Sequence, residues 1–394
     1  MKKLSVRSLE VRDRRVFVRV DFNVPLDSDG AITSDVRIRA SLPTINLLLE
    51  RGATVILASH LGKPKGKRCA ELSLKPVAVR LEQLLAREVL FAPDCVGPAI
   101  ERLVMDAPDG SVILLENLRF HAGEEQNTPE FGHQLARLAD AYVNDAFGTA
   151  HRAHASTSAV AGLFEKPAAG LLLGREVEFL SRVIEQPTSP FVAVIGGAKV
   201  SDKTGVISNL LTRVDQLLIG GGVSFSFLRA RGASIGRSLH EPDLVETAGR
   251  LAADPKLVLP VDIVAARDTG DADGAHVVPA DRIPDDEMGL DIGPTTAANY
   301  SDAISRARTV VWAGPMGVFE EDAFASGSEA VARAIAAATS RGATTVVGGG
   351  DTVACLAKWQ LTGSVSHVST GGGACLEFLE GRRLPGIEAL ADEE

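Results

Sequence analysis

Arg19-Val20-Asp21-Phe22-Asn23-Val24-Pro25 closes an alternating apolar run, Val16, Val18 and Val20, that reads as a half-buried β-strand. The strand ends in a cation, a carboxylate and an amide, and Pro25 stops it. In open α/β sheets ligands sit beyond the carboxyl ends of the strands, so this polar tip is where one would be held. The pattern recurs down the chain: an apolar strand, a tip rich in Arg, Lys, His or Gly, then a helix.

In the first half, strands are expected near Val16–Asp21, Thr54–Ser59, Val112–Leu115 and Tyr142–Asn144. Amphipathic helices fall between them, around Leu42–Arg51, Lys75–Arg87 and Glu130–Ala139, and Gly52 is a natural C-cap for the first. In the second half, strands are expected near Phe191–Ile195, Gln216–Ile219, Leu257–Val264, Thr309–Trp312, Thr344–Val347 and His367–Ser369. Helices follow at Lys203–Leu211, Ser328–Ser340 and Thr352–Trp359. This alternation predicts an α/β protein of two doubly wound, mostly parallel, Rossmann-like sheets. Between them, Leu171–Gln186 carries Val177, Leu180, Val183 and Ile184 at helical spacing and is closed by Pro187 and Pro190. The expected division is an N-terminal domain over 1–170, a connecting helix over 171–186 and a C-terminal domain over 187–370. The acidic tail Leu390–Glu394 is expected to fray.

A chain of 394 residues exceeds one ordinary core, in keeping with two domains. The net charge of -10 argues against nucleic acid as the principal partner. It is unevenly shared: residues 1–170 hold 22 Lys+Arg against 21 Asp+Glu, and residues 171–394 hold 19 against 30. A half that keeps its cations near strand ends suggests a local anion site. Cys69, Cys95, Cys355 and Cys375 form no C-x-x-C pair and are expected as free thiols. The start Met1-Lys2-Lys3-Leu4-Ser5 lacks the apolar core of a signal peptide, and no apolar run approaches the roughly 18 residues that span a bilayer. A soluble cytoplasmic protein without a membrane partner is the expectation.

Five segments of the first half carry ligand-competent groups: Arg19–Asn23, Arg37, His60-Leu61-Gly62-Lys63-Pro64, Arg119, and His151-Arg152-Ala153-His154. All but Arg37 lie at or after a strand end, and Arg37 opens the helix before the second strand. Arginine presents a rigid fork of donors matched to phosphate or carboxylate oxygens. A sheet edge that collects several makes a cavity for a small, multiply charged anion. No acidic or cysteine ligand completes a zinc pattern around His151 and His154.

In the second half Gly196-Gly197-Ala198-Lys199-Val200-Ser201-Asp202-Lys203-Thr204 follows a strand and opens a helix. It nearly matches G-x-x-x-x-G-K-[ST], but Asp202 takes the place of the second glycine, so a P-loop is rejected. Two lysines at a helix start remain, suited to phosphate. Gly348-Gly349-Gly350-Asp351-Thr352 and Thr370-Gly371-Gly372-Gly373-Ala374 also join strands to helices, and their bare amides and helix dipoles favour anions. Neither is G-x-G-x-x-G, which argues against a nicotinamide-dependent dehydrogenase. Asp351 suits Mg²⁺, which keeps water, one or two carboxylates and the substrate's phosphates. It is equally a helix N-cap.

With these residues in view, the chain resembles the phosphoglycerate kinases nearly end to end. The likeness rests on Arg19–Pro25, Ser59–Pro64, Leu115–His121, Asn144–His154, Gly196–Lys203, Leu290–Pro294, Gly314–Glu320 and the two glycine triplets, in the family's order. It implies reversible phosphoryl transfer between 1,3-bisphosphoglycerate and MgADP, giving 3-phosphoglycerate and MgATP, in a cytoplasmic monomer whose two domains close on their ligands. By the same resemblance Asp21, Phe22, Asn23, Arg37, His60, Leu61, Gly62, Lys63, Arg119 and Arg152 would bind the glycerate. Lys203, Glu320, Gly349, Gly350, Asp351 and Thr352 would bind the nucleotide, with Asp351 on Mg²⁺. Arg37, Lys199 and Gly371, Gly372 and Gly373 would surround the moving phosphoryl group, and residues 371–394 would return to the first domain. The chain departs from the family at Lys63, where Arg is common, at Ala313, where Asn is usual, and at Gly220–Val223. A non-catalytic homologue is the competing reading, discouraged because every expected charged group is present.

Overall fold

The computed structural model describes residues 2–393. The chain divides into two compact units, one running to Glu178 and taking up the chain again from Arg383, the other spanning Phe179–Arg382. The division falls inside the helix Leu171–Glu185.

The first unit is built on β1 (Arg15–Arg19), β2 (Thr54–Ala58), β3 (Val89–Phe91), β4 (Val112–Leu114), β5 (Ala141–Asn144) and β6 (Ala168–Ala169). They form one sheet in the order β3-β4-β2-β1-β5-β6, all pairs parallel. β2, Thr-Val-Ile-Leu-Ala, is buried at every position, as a strand covered on both faces must be. The helix Val36–Glu50 lays Ile38, Ile45 and Leu48 against Val16, Val18, Val55 and Leu57 of the sheet. Each such side chain contributes roughly 1.5–3 kcal/mol by leaving water. This helix starts well before the expected Leu42 and runs through Pro43, and Gly52 follows its end at φ +81°. Since β1 lies between β2 and β5, the connections leaving β1 and β5 diverge and open a crevice at their carboxyl ends.

In the second unit the strands are β7 (Phe191–Ile195), β8 (Gln216–Ile219), β9 (Ser234–Ile235), β10 (Leu257–Val258), β11 (Asp262–Ala266), β12 (His276–Pro279), β13 (Arg282–Ile283), β14 (Met288–Ile292), β15 (Thr309–Ala313), β16 (Thr344–Gly348) and β17 (His367–Val368). Six make a parallel sheet ordered β10-β8-β7-β15-β16-β17, with Trp312 opposite Val194 and Val347. Counted along the chain this is the order 3-2-1-4-5-6 of a doubly wound dinucleotide-type fold. Its crevice lies at the carboxyl ends of β7 and β15.

The expected single strand Leu257–Val264 is two. Leu259-Pro260-Val261 interrupts it, since proline cannot donate to a ladder, and β11 joins β12 and β14 in a separate antiparallel sheet. The tail also differs from expectation. Lys3 Nζ donates to Leu390 O (3.1 Å), Leu4 N to Ala391 O (2.8 Å) and Ala391 N to Pro167 O (2.9 Å), so the chain is tied down through Asp392. Glu394, also in that expectation, lies outside the described residues. Residues 371–382 belong to the second unit, where Asn209 Nδ2 donates to Leu379 O (2.7 Å). Among the described residues no disulfide joins Cys69, Cys95, Cys355 or Cys375. Among the described residues no helix is long and apolar enough to cross a membrane.

Candidate active site

In the first unit the crevice is lined by cations held from several elements. Asp21, nearly buried, pairs with Arg37 Nη1 at 2.7 Å and accepts from Asn23 N. Asn23 Oδ1 in turn accepts from Gly62 N (2.9 Å), tying the tip of β1 to the loop after β2. Phe22 is fully buried, its amide on Ser59 Oγ (2.8 Å). Gly62 has φ +61°, and a Cβ there would meet Leu72 Cδ2 at 2.7 Å, so both the backbone and the Leu72 side chain favour glycine. Leu61 is buried and hands its carbonyl to Asn117 Nδ2 (2.8 Å); Lys63 and Arg152 are exposed.

Arg119 stands apart from an ordinary surface arginine. It is 2% exposed, and Nη1 donates to Gly62 O (2.8 Å). Among the described residues neither Nε nor Nη2 has a hydrogen-bond acceptor, although Glu125 Oε1 stands 3.5 Å from Nε as an ion pair. Burial holds its pKa down, and Arg152 and Arg19 add to that effect. Two histidines register the same field. Burial, then Arg19, Arg119, His154 and Arg37, push His60 well below its ordinary pKa. Burial, then Arg119, Arg19 and Arg152, lower His154 to about 4. Both rings are therefore neutral near pH 7. The structure thus brings Arg19, Arg37, His60, Arg119, Arg152 and His154 into one neighbourhood. A concentration of positive charge in which Asp21 answers Arg37 and Glu125 stands by Arg119, yet two Arg119 nitrogens keep no acceptor, is what an anion would relieve.

In the second unit three glycine loops converge at the carboxyl ends of β7, β8 and β15. Gly197 N donates to Pro315 O (2.8 Å), Gly221 N to Met316 O (3.0 Å) and Val223 N to Gly197 O (3.0 Å). A Cβ on Gly196 would lie 2.1 Å from Pro315 O, and one on Gly221 2.7 Å from the same atom. No side chain fits, so backbone meets backbone. Lys199 is exposed at this edge, whereas Lys203 is buried, its pKa lowered by burial against the pull of Asp202 and Asp351. Gly349 caps the helix Gly350–Lys358, whose first turn carries the exposed Asp351. Thr352 Oγ1 accepts from Gly314 N (2.7 Å), a bond that locks two loops and leaves its hydroxyl less free for a ligand. Glu320 is exposed, and Gly371, Gly372 and Gly373 lead into the helix Gly373–Leu379. Ala313, at the end of β15, is fully buried.

Comparison with known proteins decides what these two crevices belong to. The family model described as phosphoglycerate kinase matches residues 6–382. The phosphoglycerate kinase of Moorella thermoacetica is 56% identical over 399 residues, covering 100% of both chains. This chain belongs to the phosphoglycerate kinase family. The cytosolic phosphoglycerate kinase of Triticum aestivum is 51% identical, covering 97% of this chain and 96% of its own. The solved phosphoglycerate kinase of Coxiella burnetii superposes with a TM-score of 0.89 at 44% identity, covering 98% of each chain. The chain is accordingly a phosphotransferase of glycolysis, moving a phosphoryl group between phosphoglycerate and a nucleotide.

Sequence reasoning placed its arginines at strand ends but missed what lies beneath them. Glu124 and Ser156, both fully buried, underlie Arg19 and have no local motif. Asp94, Cys95 and His121 also bring three ligand-type atoms within 4.8 Å. His121 Nε2 and Asp94 Oδ1 stand 2.6 Å apart, closer than the about 3.3 Å between two donors on one tetrahedral zinc, so this is a hydrogen-bonded pair.

Proposed function

We propose that the arginine-lined crevice of the first unit binds 3-phosphoglycerate or 1,3-bisphosphoglycerate, and that the glycine loops of the second bind ADP or ATP with Mg²⁺. The carrying observation is Arg119: a buried guanidinium with unaccepted donors, in a field that keeps two histidines neutral, is a socket for an anion. Asp21, Phe22, Asn23, Arg37, His60, Leu61, Gly62, Lys63 and Arg152 complete the glycerate site. Lys203, Glu320, Gly349, Gly350, Asp351 and Thr352 serve the nucleotide. Asp351, an exposed carboxylate at a helix start, fits a Mg²⁺ carried by the nucleotide's phosphates, which the ion neutralises.

The chemistry needs no proton shuttle. An acyl phosphate leaves as a carboxylate, already a weak base, and in reverse an ionised carboxylate attacks. What remains for Arg37, Lys199 and the amides of Gly371, Gly372 and Gly373 is to neutralise charge on the phosphoryl group and hold it in line. Transfer requires the two ligands to meet in a water-poor site, since water would hydrolyse the acyl phosphate. The cytosolic designation of the wheat relative supports a cytosolic setting.

A coupled assay with 3-phosphoglycerate and MgATP tests the assignment. Arg37→Ala and Lys199→Ala should each lose about 10²–10³ in turnover with circular dichroism unchanged. Near wild-type rates in both would contradict it.

A further inference from the structure

Beneath the glycerate crevice lies a buried chain of polar groups that the reading above does not use. Glu124, on the short helix Ala122–Glu125, and Arg19, at the end of β1, are both 0% exposed. Ser156 joins them. Its hydroxyl donates to Glu124 Oε1 (2.6 Å), its amide donates to Glu124 Oε2 (2.9 Å), and its oxygen accepts from Arg19 Nε (2.8 Å). Tyr142 Oη, donating to Ser156 O (2.9 Å), fixes the backbone at this point. Arg19 Nη1 donates to Val20 O, and Nη2 reaches His60 Nδ1 at 3.2 Å.

The direction of every bond follows from what the groups can do. Arg19 Nε can only donate, so it takes a lone pair of Ser156 Oγ, and the single Ser156 proton points to Glu124, whose other oxygen accepts from Ser156 N. Burial raises the Glu124 pKa, and Arg19 and these two Ser156 bonds oppose that rise. Arginine only donates, so His60 Nδ1 must accept. A ring whose Nδ1 accepts carries its proton on Nε2. We propose that Glu124, Ser156 and Arg19 are positioning residues that hold His60 in its Nε2–H tautomer, so that this ring reads the glycerate as a hydrogen-bond donor and not as a cation.

The recognition half of this rests on the placing of His60 in the glycerate site. Around the ring, Arg19, Arg119, Arg37 and His154 oppose a further positive charge, Asp21 is engaged with Arg37, and Glu124, bonded to Ser156, also stands 3.9 Å from His154 Nδ1. A second proton would land on Nδ1 and break the Arg19 bond. The relay therefore separates two jobs: arginines supply charge, and His60 supplies direction.

Long-range ¹H–¹⁵N spectroscopy on the full chain, with His60 assigned by loss of its signals in His60→Gln, is the test. The expected spectrum shows a protonated Nε2 and a bare Nδ1, unchanged from about pH 8 to about pH 5.5. In Glu124→Gln and Ser156→Ala the ring should populate the other tautomer or titrate. KM for 3-phosphoglycerate should then rise about tenfold, while KM for MgATP stays within about twofold. A wild-type ring bearing its proton on Nδ1, or titrating near the ordinary histidine value, overturns the relay whether or not either variant folds. A locked ring whose Nε2 signal ignores added 3-phosphoglycerate overturns instead the placing of His60 in the glycerate site, and with it the recognition role.

Discussion

Arg119 illustrates how far a single residue type carries function. An arginine one turn past a strand suggested an anion site, yet only the fold shows that it is buried with donors unaccepted. Truncating one partner of a buried charged pair costs about 2–5 kcal/mol, so Arg119→Ala should raise KM for 3-phosphoglycerate about 30-fold or more. Arg119→Lys, which keeps the charge and loses the fork, should fall between, as steady-state kinetics would record. The residues beneath it were illegible for a physical reason. Glu124 and Ser156 lie far apart in the chain and meet only through packing, so no spacing announces them. Buried carboxyls elsewhere set a pH dependence. Burial pushes Asp145 and Asp291 up from 3.8 to about 7, against backbone donors at Leu173 and Leu172 for the first and Gly327 and Ile292 for the second. The folded chain then holds protons that the unfolded chain has released, so their contribution to stability is lost as pH rises from 3.8 to about 7. Urea midpoints between about pH 5 and about pH 8 should fall less in Asp145→Asn than in wild type.

At the scale of elements, the strands that the sequence revealed include those with four or five consecutive apolar residues, such as Thr54–Ala58 and Phe191–Ile195. Val89–Phe91 and Ala168–Ala169 escaped because two or three residues carry no periodicity. The helix Pro294–Arg306 escaped although Gly293-Pro294 marks its start. Glycine loops were legible as anion sites, but their mutual contact was not, since backbone packing leaves no mark beyond the missing side chain. Gly314 shows how tight it is: φ is +102°, and a Cβ would lie 2.1 Å from Gly196 O. Gly314→Ala combines left-handed strain with overpacking and should cost about 2–4 kcal/mol. Both tryptophans, Trp312 and Trp359, lie in the second unit, so the loss should appear as an earlier fluorescence transition in urea.

Across the whole molecule, the two sheets share a plan and differ in charge. Each places its ligand groups at carboxyl ends beside its first strand, where the chain reverses direction along the sheet. Alternation of strand and helix made that plan readable. The family resemblance set the return to the first domain at residue 371, twelve residues before the chain takes up the first unit again, and pairing across the full length of a chain has no local signature to correct it. From Arg383 onward the chain completes the first unit. Gly386 N donates to Ala150 O (2.8 Å), Asn144 Nδ2 to Gly386 O (3.0 Å), and Leu384, Ile387 and Leu390 are buried. Asn144 ends β5, and Ala150 precedes His151-Arg152, so this segment braces the loop that carries Arg152. Ending the chain after Arg382 would uncover three apolar side chains, each worth roughly 1.5–3 kcal/mol, and leave the Asn144 amide without its acceptor. The first unit should then unfold at lower urea, seen as faster amide hydrogen exchange in β1 and β5. The tryptophan-reported transition of the second unit should stay where it was, and a matched fall in both would mean that the tail supports the chain as a whole.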